Sequence, residues 1–288
     1  MNTGLGENIV KKQIVWLASY PKSGNTWFRS FLTVILKNQQ IDLNRMATDG
    51  IFSGKNYVEN VLDLNADYLS SSQIESYQRI AFNYLSETSK KPLFIKIHDA
   101  FTFSKIDGLP LIPEAPTKCA IYLVRNPLDV ALSLANHIVQ PIEKVIEKFI
   151  IHPNSGFASL KNSANNQFHQ PLGTWSMHVE SWLTKPSFPV HFMRYEDMKA
   201  QPFETFKAAL DAIGLSYSDA QIQFAIEETK FENLQKKEQE KGFREKQITS
   251  SRFFFKGEVG RWKHELTTEQ IEKIIQVNEP MMRHFGYL

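Results

Sequence analysis

The sequence lacks the features that stabilise secreted proteins and anchor membrane proteins. Its 288 residues include one cysteine, Cys119, which cannot form a disulfide framework and lies in an apolar run typical of a buried core position. No run of about 18 apolar residues is present, and residues 1–12 are too polar for a signal peptide. The net charge of +2 is too small to indicate a nucleic-acid-binding protein. We therefore expect a cytoplasmic protein with no membrane and no nucleic-acid partner.

Two kinds of site are also missing from the sequence. Histidine, aspartate and glutamate residues do not cluster with the spacing of a metal site, so no metal is expected. No GxxxxGKS/T segment is present either, and that loop is the phosphate-binding signature of P-loop kinases. A nucleotide kinase using ATP and magnesium stays open as an alternative, although it would need this loop and an acidic partner for the magnesium ion.

Short apolar runs alternate with longer amphipathic stretches, which is typical of a parallel sheet covered by helices. The chain length fits one domain over residues 1–288, of which residues 1–12 are expected to form a disordered tail. We predict a three-layer α/β domain with a mostly parallel central sheet flanked by helices. The predicted strands are residues 14–18, 93–97, 120–124 and 190–193.

Two polar segments are predicted to lie outside these elements. Residues 152–173 are rich in Asn, Ser and Gln and predict a surface loop, whereas the highly charged residues 236–252 predict a solvated helix end. Either segment could instead act as a lid that excludes water from a site. Ligands of such sheets bind beyond the carboxyl ends of the strands, so the strand exits are where chemistry is expected.

The exit of the first predicted strand, residues 19–27, has the composition of an anion-binding loop. Pro21 and Gly24 predict a tight turn, and the residues after it would open a helix, whose unpaired N–H groups and dipole favour an anion. Lys22 adds a mobile positive charge at the same point. An ordinary strand–turn–helix corner is the alternative, but the combination of Lys, Ser, Gly, Asn and Thr favours phosphate binding.

Charged and titratable side chains also follow the next two predicted strands. Lys96 and His98 are two residues apart and so face the same side, where they suit oxyanion stabilisation and proton abstraction; a structural histidine is the alternative. Arg125 follows the third strand, and its planar fork can hold a phosphate. Ser133, about two helical turns later, could supply a hydroxyl to that phosphate. Pairing of Arg125 with Asp129 is the alternative there.

In this order, the segments resemble those of the sulfotransferases that use 3′-phosphoadenosine 5′-phosphosulfate (PAPS). Residues 20–27 are similar to the family's 5′-phosphosulfate loop, with Asn25 where Thr is common. Residues 122–133 are similar to its 3′-phosphate motif, and residues 256–260 to its Gly-x-x-Gly segment. The resemblance covers the chain from about residue 14 to its C-terminal end, and it implies that the three-layer α/β domain is of the P-loop type.

The resemblance implies a role for each matching residue. His98 would be the catalytic base, and Lys22 and Lys96 would be catalytic cations beside the transferred group. Trp27 and Phe231 would sandwich the adenine. The full set of residues implied to bind PAPS is Lys22, Ser23, Gly24, Asn25, Thr26, Trp27, Arg125, Ser133, Tyr195, Thr229, Phe231, Lys256 and Gly257.

The chain departs from the family pattern near its C-terminal end. Phe255 stands where many members have Arg, and Arg261 stands where Asp is common, so Lys256 or Arg252 would compensate at the 3′-phosphate. Residues 263–272 loosely resemble a dimerisation segment of the family, which makes a homodimer possible.

The activity implied by the resemblance is transfer of a sulfuryl group from PAPS to a hydroxyl, less often an amine, of a small-molecule acceptor. The reaction would be an in-line displacement that releases 3′-phosphoadenosine 5′-phosphate (PAP). A regulatory nucleotide-binding module without catalysis is an alternative of another class. Six aromatic residues would either line an apolar acceptor pocket or pack in the core: Phe52, Tyr57, Phe101, Phe103, Phe157 and Trp175.

Overall fold

The structure, a computed structural model, describes residues 11–157, 166–246 and 252–288 of the chain. Its strands are β1 (Ile14–Ser19), β2 (Leu93–Ile97), β3 (Thr117–Val124), β4 (Gly156–Phe157), β5 (Gln170–Pro171) and β6 (Val190–Arg194). Four of them form a parallel sheet in the order β2–β1–β3–β6, and β4 pairs with β5 in an antiparallel arrangement. The predicted α/β class, the parallel sheet and its four strands are confirmed.

The helices within the described residues lie between and after these strands. A 3₁₀ turn at Ala66–Tyr68 and a π-helical turn at Ile146–Ile150 accompany them. The α-helices are α1 (Asn25–Lys37), α2 (Lys55–Leu62), α3 (Ser71–Thr88), α4 (Pro127–Ile138), α5 (Ile142–Val145), α6 (Trp175–Thr184), α7 (Tyr195–Ala200), α8 (Pro202–Ile213), α9 (Asp219–Glu228), α10 (Phe231–Lys241), α11 (Trp262–Glu265) and α12 (Thr268–His284).

The central strand β1 shows why three layers form. All six of its residues are buried, and alternate side chains point to opposite faces of the sheet. Trp16 and Ala18 belong to the core on one face, which includes apolar residues of α3, α6 and α12. Val15 and Leu17 belong to the core on the other face, with residues of α1, α8 and α9. A strand buried on both faces reads as a continuous apolar run, as this one does.

The register of the sheet brings the three strand exits together. Ala18 of β1 pairs with Ile97 of β2, and Ser19 pairs with Leu123 of β3. The residues that follow these strands therefore emerge side by side at one edge of the sheet. Beyond β3, the Asn126 side chain caps α4 by accepting a hydrogen bond of 3.0 Å from the main-chain N–H of Leu128.

The two polar segments are more closely packed than the sequence suggested. Within the described part of residues 152–173, residues 152–154 and 166–167 are exposed, as expected of a surface loop, but β4 and β5 form there and Leu172 is fully buried. Residues 236–252 do include the end of α10, but the chain then folds back and buries Phe243. Residues 1–10, 158–165 and 247–251 lie outside the described residues, so the tail and the lids stay predictions.

Candidate active site

A cavity of about 640 Å³ opens where β1, β2 and β3 end. Its described wall carries one carboxylate, Glu245, against six side chains that are ordinarily cationic. A concave surface lined mainly by one sign of charge concentrates ligands of the opposite sign. The cavity therefore suits a ligand with several negative charges. The six basic residues are Lys22, Lys96, Arg125, Arg244, Lys256 and Arg261.

The loop after β1 has the conformation of an anion-binding turn. Lys22 and Gly24 both adopt left-handed backbone, with φ of 69° and 99°, which for a lysine costs on the order of 1 kcal/mol. α1 begins at Asn25 with no side chain accepting from its first N–H groups. The Ser23 hydroxyl is buried and has no hydrogen-bond partner. The loop thus keeps donors available for an anion at the start of a helix.

His98 lies just past β2 with its ring held in one orientation. Its Nδ1–H donates to the main-chain oxygen of Ser19 at 2.9 Å, which leaves Nε2 without a proton in the neutral ring. His98 lines the cavity, and no described residue hydrogen-bonds its Nε2. Burial and the nearby charge of Lys96 lower the pKa of His98 well below its usual value. The imidazole is therefore neutral at pH 7 and can accept a proton at Nε2.

His178, on α6, was not identified from the sequence, yet it fixes the main chain of His98. Its Nε2–H donates to the main-chain oxygen of His98 at 2.8 Å, and its Nδ1 accepts from the Tyr122 hydroxyl at 2.8 Å. Burial lowers the pKa of His178 to about 4, so this ring stays neutral as well. The two residues are far apart in the sequence, and no local pattern connects them.

Lys22 and Lys96 are both placed in the cavity under unfavourable conditions for a charge. The Lys22 ammonium lies 4.1 Å from the centre of the Phe253 ring. Burial, followed by the charges of Lys96 and Arg125, lowers the pKa of Lys22 to about 7. Burial also lowers the pKa of Lys96, whose Nζ donates to Oε2 of Glu245 at 3.1 Å. A bound anion would favour the protonated form of both amines.

Arg125 occupies the exit of β3, and both of its Nη atoms donate hydrogen bonds within the protein. Its guanidinium lies 4.2 Å from the centre of the Tyr195 ring. One Nη donates to the main-chain oxygen of Lys22 at 3.3 Å and the other to that of Glu258 at 2.8 Å, while the buried Nε has no partner. The side chain thus links the loop after β1 to the segment at residues 257–262.

Asp129 has a different role from the one considered in the sequence. No ion pair joins it to Arg125 among the described residues. Its carboxylate instead accepts hydrogen bonds from the main-chain N–H groups of Gly260 at 2.7 Å and Trp262 at 3.2 Å. Asp129 therefore holds the segment at residues 257–262 against α4, and Arg125 is not neutralised by it.

The Gly257 turn closes another side of the cavity. Gly257 has a φ of 63°, and a Cβ atom there would lie 2.4 Å from the Phe231 ring. The Tyr195 hydroxyl donates to the Gly257 main-chain oxygen at 2.9 Å. Lys256 and Arg261, on either side of the turn, both donate to the Glu265 carboxylate.

Most residues implied to bind PAPS lie on the wall of this one cavity. Two do not. Ser23 is fully buried beside the loop, and the Thr229 hydroxyl is fully buried and donates to the Ala225 main-chain oxygen at 2.7 Å. The implied residues that line the cavity are Lys22, Gly24, Asn25, Thr26, Trp27, Lys96, His98, Arg125, Ser133, Tyr195, Phe231, Lys256 and Gly257.

Of the six aromatic residues considered for an acceptor pocket, only one lines the cavity. Phe157 lines the cavity, together with Ile51 and Gln170. Phe52, Phe101 and Trp175 are buried in the core on the α6 side of the sheet, and Tyr57 packs against that core. Phe103 is exposed and is not among the residues that line the cavity. Core packing is thus the correct interpretation for four of the six.

Arg29 and Glu245 are charged residues near the site that the sequence did not single out. Arg29 lies on α1 and donates to Oε1 of Glu245 at 2.7 Å. An arginine between the apolar residues of the buried face of α1 was the available signal. Glu245 lies among many similar charges in residues 236–252, so nothing local distinguished it.

The described residues form neither a metal site nor a membrane-spanning helix. They contain no group of three or more His, Cys, Asp or Glu side chains placed to hold a metal ion. Within the same residues no helix is long and apolar enough to cross a membrane.

Comparison with known proteins gives one family. The family described as "Sulfotransferase domain" matches residues 12–286. "Cytosolic sulfotransferase 10" of Arabidopsis thaliana is 25% identical over 278 residues, which cover 94% of this chain and 78% of that protein. "Flavonol 3-sulfotransferase" of Flaveria bidentis is 26% identical over 271 residues, covering 90% and 78%.

Two solved structures share the fold of this chain. Mouse sulfotransferase SULT7A1 complexed with PAP superposes with a TM-score of 0.59 at 20% identity, covering 96% of this chain and 90% of that one. Retinol dehydratase in a complex with retinol and PAP superposes with a TM-score of 0.61 at 18% identity, covering 96% and 84%.

Proposed function

The chain belongs to the sulfotransferase domain family, and on that premise we propose that it transfers a sulfuryl group from PAPS to a hydroxyl of a small molecule. The observation that carries the proposal is the cavity itself. A neutral His98 with a free Nε2 faces the same space as Lys22 and Arg125. A base and two cations around one cavity suit deprotonation of an acceptor beside a strongly anionic donor.

The residues present fit PAPS as the donor. Several buried polar atoms near the cavity lack a partner within the structure, namely Ser23 Oγ, Trp27 Nε1 and Arg125 Nε. Buried groups of this kind are normally satisfied, so a bound polar ligand is a reasonable source of their missing partners. The loop at residues 22–26 would hold the 5′ end, and Arg125, Ser133 and the Gly257 turn would hold the 3′-phosphate.

PAPS supplies an activated sulfuryl group when it is bound. The part of this chain is then to move a proton and to stabilise charge. Nε2 of His98 takes the acceptor proton, and the hydrogen bond from Nδ1–H to Ser19 holds the ring while it becomes charged. The negative charges of the donor would raise the pKa of His98 from its low value, which strengthens the base. Lys22 and the nearby N–H groups stabilise the charge left on the donor side.

The acceptor end of the cavity lies beside the exit of β2. Ile51 forms a bridge with Lys96, and Phe157 pairs with Gln170. These four residues line the cavity together with His98. Retinol dehydratase, a structural neighbour, was solved with androsterone in one structure and with retinol in another, and both small molecules carry a hydroxyl. A hydroxyl of a small molecule is therefore the acceptor group that we propose.

Two finer points belong to the same proposal. A cytoplasmic location is supported by relatives named as cytosolic. A homodimer through residues 263–272 is supported by exposed side chains there, including Lys263, Thr268 and Glu272. Light scattering at several protein concentrations tests the dimer, and a strictly monomeric protein would remove it.

Thermal unfolding with three ligands tests the donor. A ligand that binds the folded state alone raises the melting temperature. We expect PAP to raise it more than AMP, and ATP with magnesium to have little effect. Selective stabilisation by ATP with magnesium would favour a kinase instead. Stabilisation by PAP without transfer of label from PAPS to any phenol or alcohol in a panel would favour a non-catalytic binding module.

A further inference from the structure

A group of three charged side chains, Arg29, Lys96 and Glu245, lies at the exit of β2, and no role in the proposed reaction has been assigned to Arg29 or Glu245. Oε1 of Glu245 accepts from Arg29 Nη1 at 2.7 Å, and Oε2 accepts from Lys96 Nζ at 3.1 Å. Arg29 also donates to the Thr48 hydroxyl, from Nε at 3.2 Å. The three charged residues come from α1, from β2 and from the segment after α10. The fold thus brings them together from distant parts of the sequence.

The burial of this group is asymmetric. The side chains of Arg29 and Lys96 are 7% and 16% exposed, and that of Glu245 is 31% exposed. Burial raises the pKa of Glu245, but the charges of Lys96 and Arg29 outweigh it and lower the pKa to about 2. Glu245 is therefore ionised at every pH at which the enzyme would work. A permanent carboxylate stands in a cavity whose other charged side chains are basic.

Stability alone does not account for this arrangement. A buried ion pair is weak evidence for stability, because the desolvation of both charges offsets their attraction. Arg29 bonds only Oε1 of Glu245, and Oε2 is bonded by Lys96, which is also on the cavity wall with His98. A carboxylate in the cavity also opposes the binding of an anionic donor. Glu245 should therefore have a function that offsets this loss of donor affinity. Its partner on the cavity wall is Lys96, so that function should act through Lys96.

We propose that Glu245, anchored by Arg29, is a positioning residue that holds the Lys96 ammonium at the cavity wall beside His98. One N–H of Lys96 is used by Glu245, and the other two stay available to the cavity. A flexible lysine side chain is thereby fixed before a ligand arrives, which lowers the ordering that the reaction requires. The inference rests on the proposed sulfuryl transfer, because Lys96 acts there on the transferred group.

The variant Glu245→Gln tests this proposal through two opposite effects. Loss of the carboxylate should lower kcat roughly 10- to 100-fold, because a misplacement of about 1 Å in an active site can cost about 100-fold. It should also tighten PAP binding on the order of tenfold, because the one acid of the described wall is gone. Hydrolysis of labelled PAPS by water gives kcat without an identified acceptor, and calorimetry gives the affinity for PAP.

A matched control and a double variant make the test specific. Glu232→Gln removes the same charge from an exposed position of α10 and should change neither value. The double variant Lys96→Met with Glu245→Gln should have the same kcat as Lys96→Met alone, since Glu245 acts through Lys96. Glu245→Asp keeps the charge, so its affinity for PAP should equal that of the wild type, and it replaces the Gln variant if the latter does not fold.

The pH profile of kcat/KM gives an independent test of the effect of Glu245 on the site. Burial, Lys96 and His178 lower the pKa of His98, whereas the hydrogen bond to the Ser19 carbonyl and the charge of Glu245 raise it. Glu245→Gln should therefore shift the acidic limb to lower pH.

Each contrary outcome has a distinct meaning. An unchanged kcat in Glu245→Gln, or a joint loss of kcat, PAP affinity and melting temperature, would overturn the positioning role. Additive losses in the double variant would do the same. Failure of the wild type to bind PAP or to release sulfate from PAPS would instead overturn the proposed function.

Discussion

The two ends of the cavity hold their functional groups in different ways. At the end near His98, the ring of the proposed base is fixed by the Ser19 carbonyl with Nε2 left free. At the end near Arg125, the guanidinium already donates to the main-chain oxygens of Lys22 and Glu258. The first arrangement is ready for its reaction, whereas the second must share or exchange partners when a phosphate binds. We therefore predict that substitutions near His98 lower kcat and leave PAP affinity unchanged, whereas substitutions near Arg125 weaken PAP binding and leave kcat nearly unchanged.

His98→Ala is the change that should separate them most clearly. Loss of a positioned base should lower kcat about 10²- to 10⁴-fold, while the affinity for PAP stays close to that of the wild type. Hydrolysis or transfer assays give the rate, and calorimetry gives the affinity. The exposed His264→Ala is the control. A large loss of PAP affinity would show that His98 has a structural role and that the two ends are not separable.

Arg125→Ala is the complementary change at the other end. Hydrogen bonds between charged groups contribute about 1.5–3 kcal/mol, so PAP affinity should fall roughly 10- to 100-fold. The rate at saturating PAPS should change much less. The dissociation constant of PAP and kcat at saturation check the two parts. An unchanged affinity would remove Arg125 from the donor site.

Lys22 lies between the two ends, and its proton should make PAP binding depend on pH. With a pKa of about 7 in the free protein, Lys22 is charged below pH 7 and loses its proton above it. A bound anion raises that pKa, so PAP binding takes up a proton above pH 7 and weakens up to about tenfold per pH unit. Calorimetry in buffers of different ionisation enthalpy measures the uptake. Lys22→Met should abolish this dependence.

Gly257→Ala should have the smallest effect, and it tests whether the Phe231 ring belongs to the donor end. A Cβ atom would meet the Phe231 ring at 2.4 Å, so the proposed adenine site should distort and PAP affinity should fall about tenfold. Gly260→Ala is the matched control, since Gly260 also has a positive φ but no atom within 4 Å of a Cβ. Equal effects of the two substitutions would indicate backbone strain rather than the ring contact.

The proposed donor end was the more predictable one because each of its segments is a short motif within one turn or one helix start. A single turn and helix start carry Lys22 through Trp27, and a capped helix places Arg125 and Ser133. Strand exits in a parallel sheet share one edge, so the order of the motifs was enough to place them on one wall. Ser23 and Thr229 are the exceptions, because Ser23 is buried beside the loop and the Thr229 hydroxyl donates to the main chain of the preceding helix.

The sequence by itself determined the α/β class, the four parallel strands and the residues at the strand exits, because these depend on local periodicity and turn chemistry. Only the tertiary structure decided which side chains support them. His178 behind His98, Asp129 under the Gly257 turn, and Arg29 with Glu245 behind Lys96 are all contacts between distant segments. Such contacts depend on how helices pack on the sheet, and a single sequence contains no periodic signal for them.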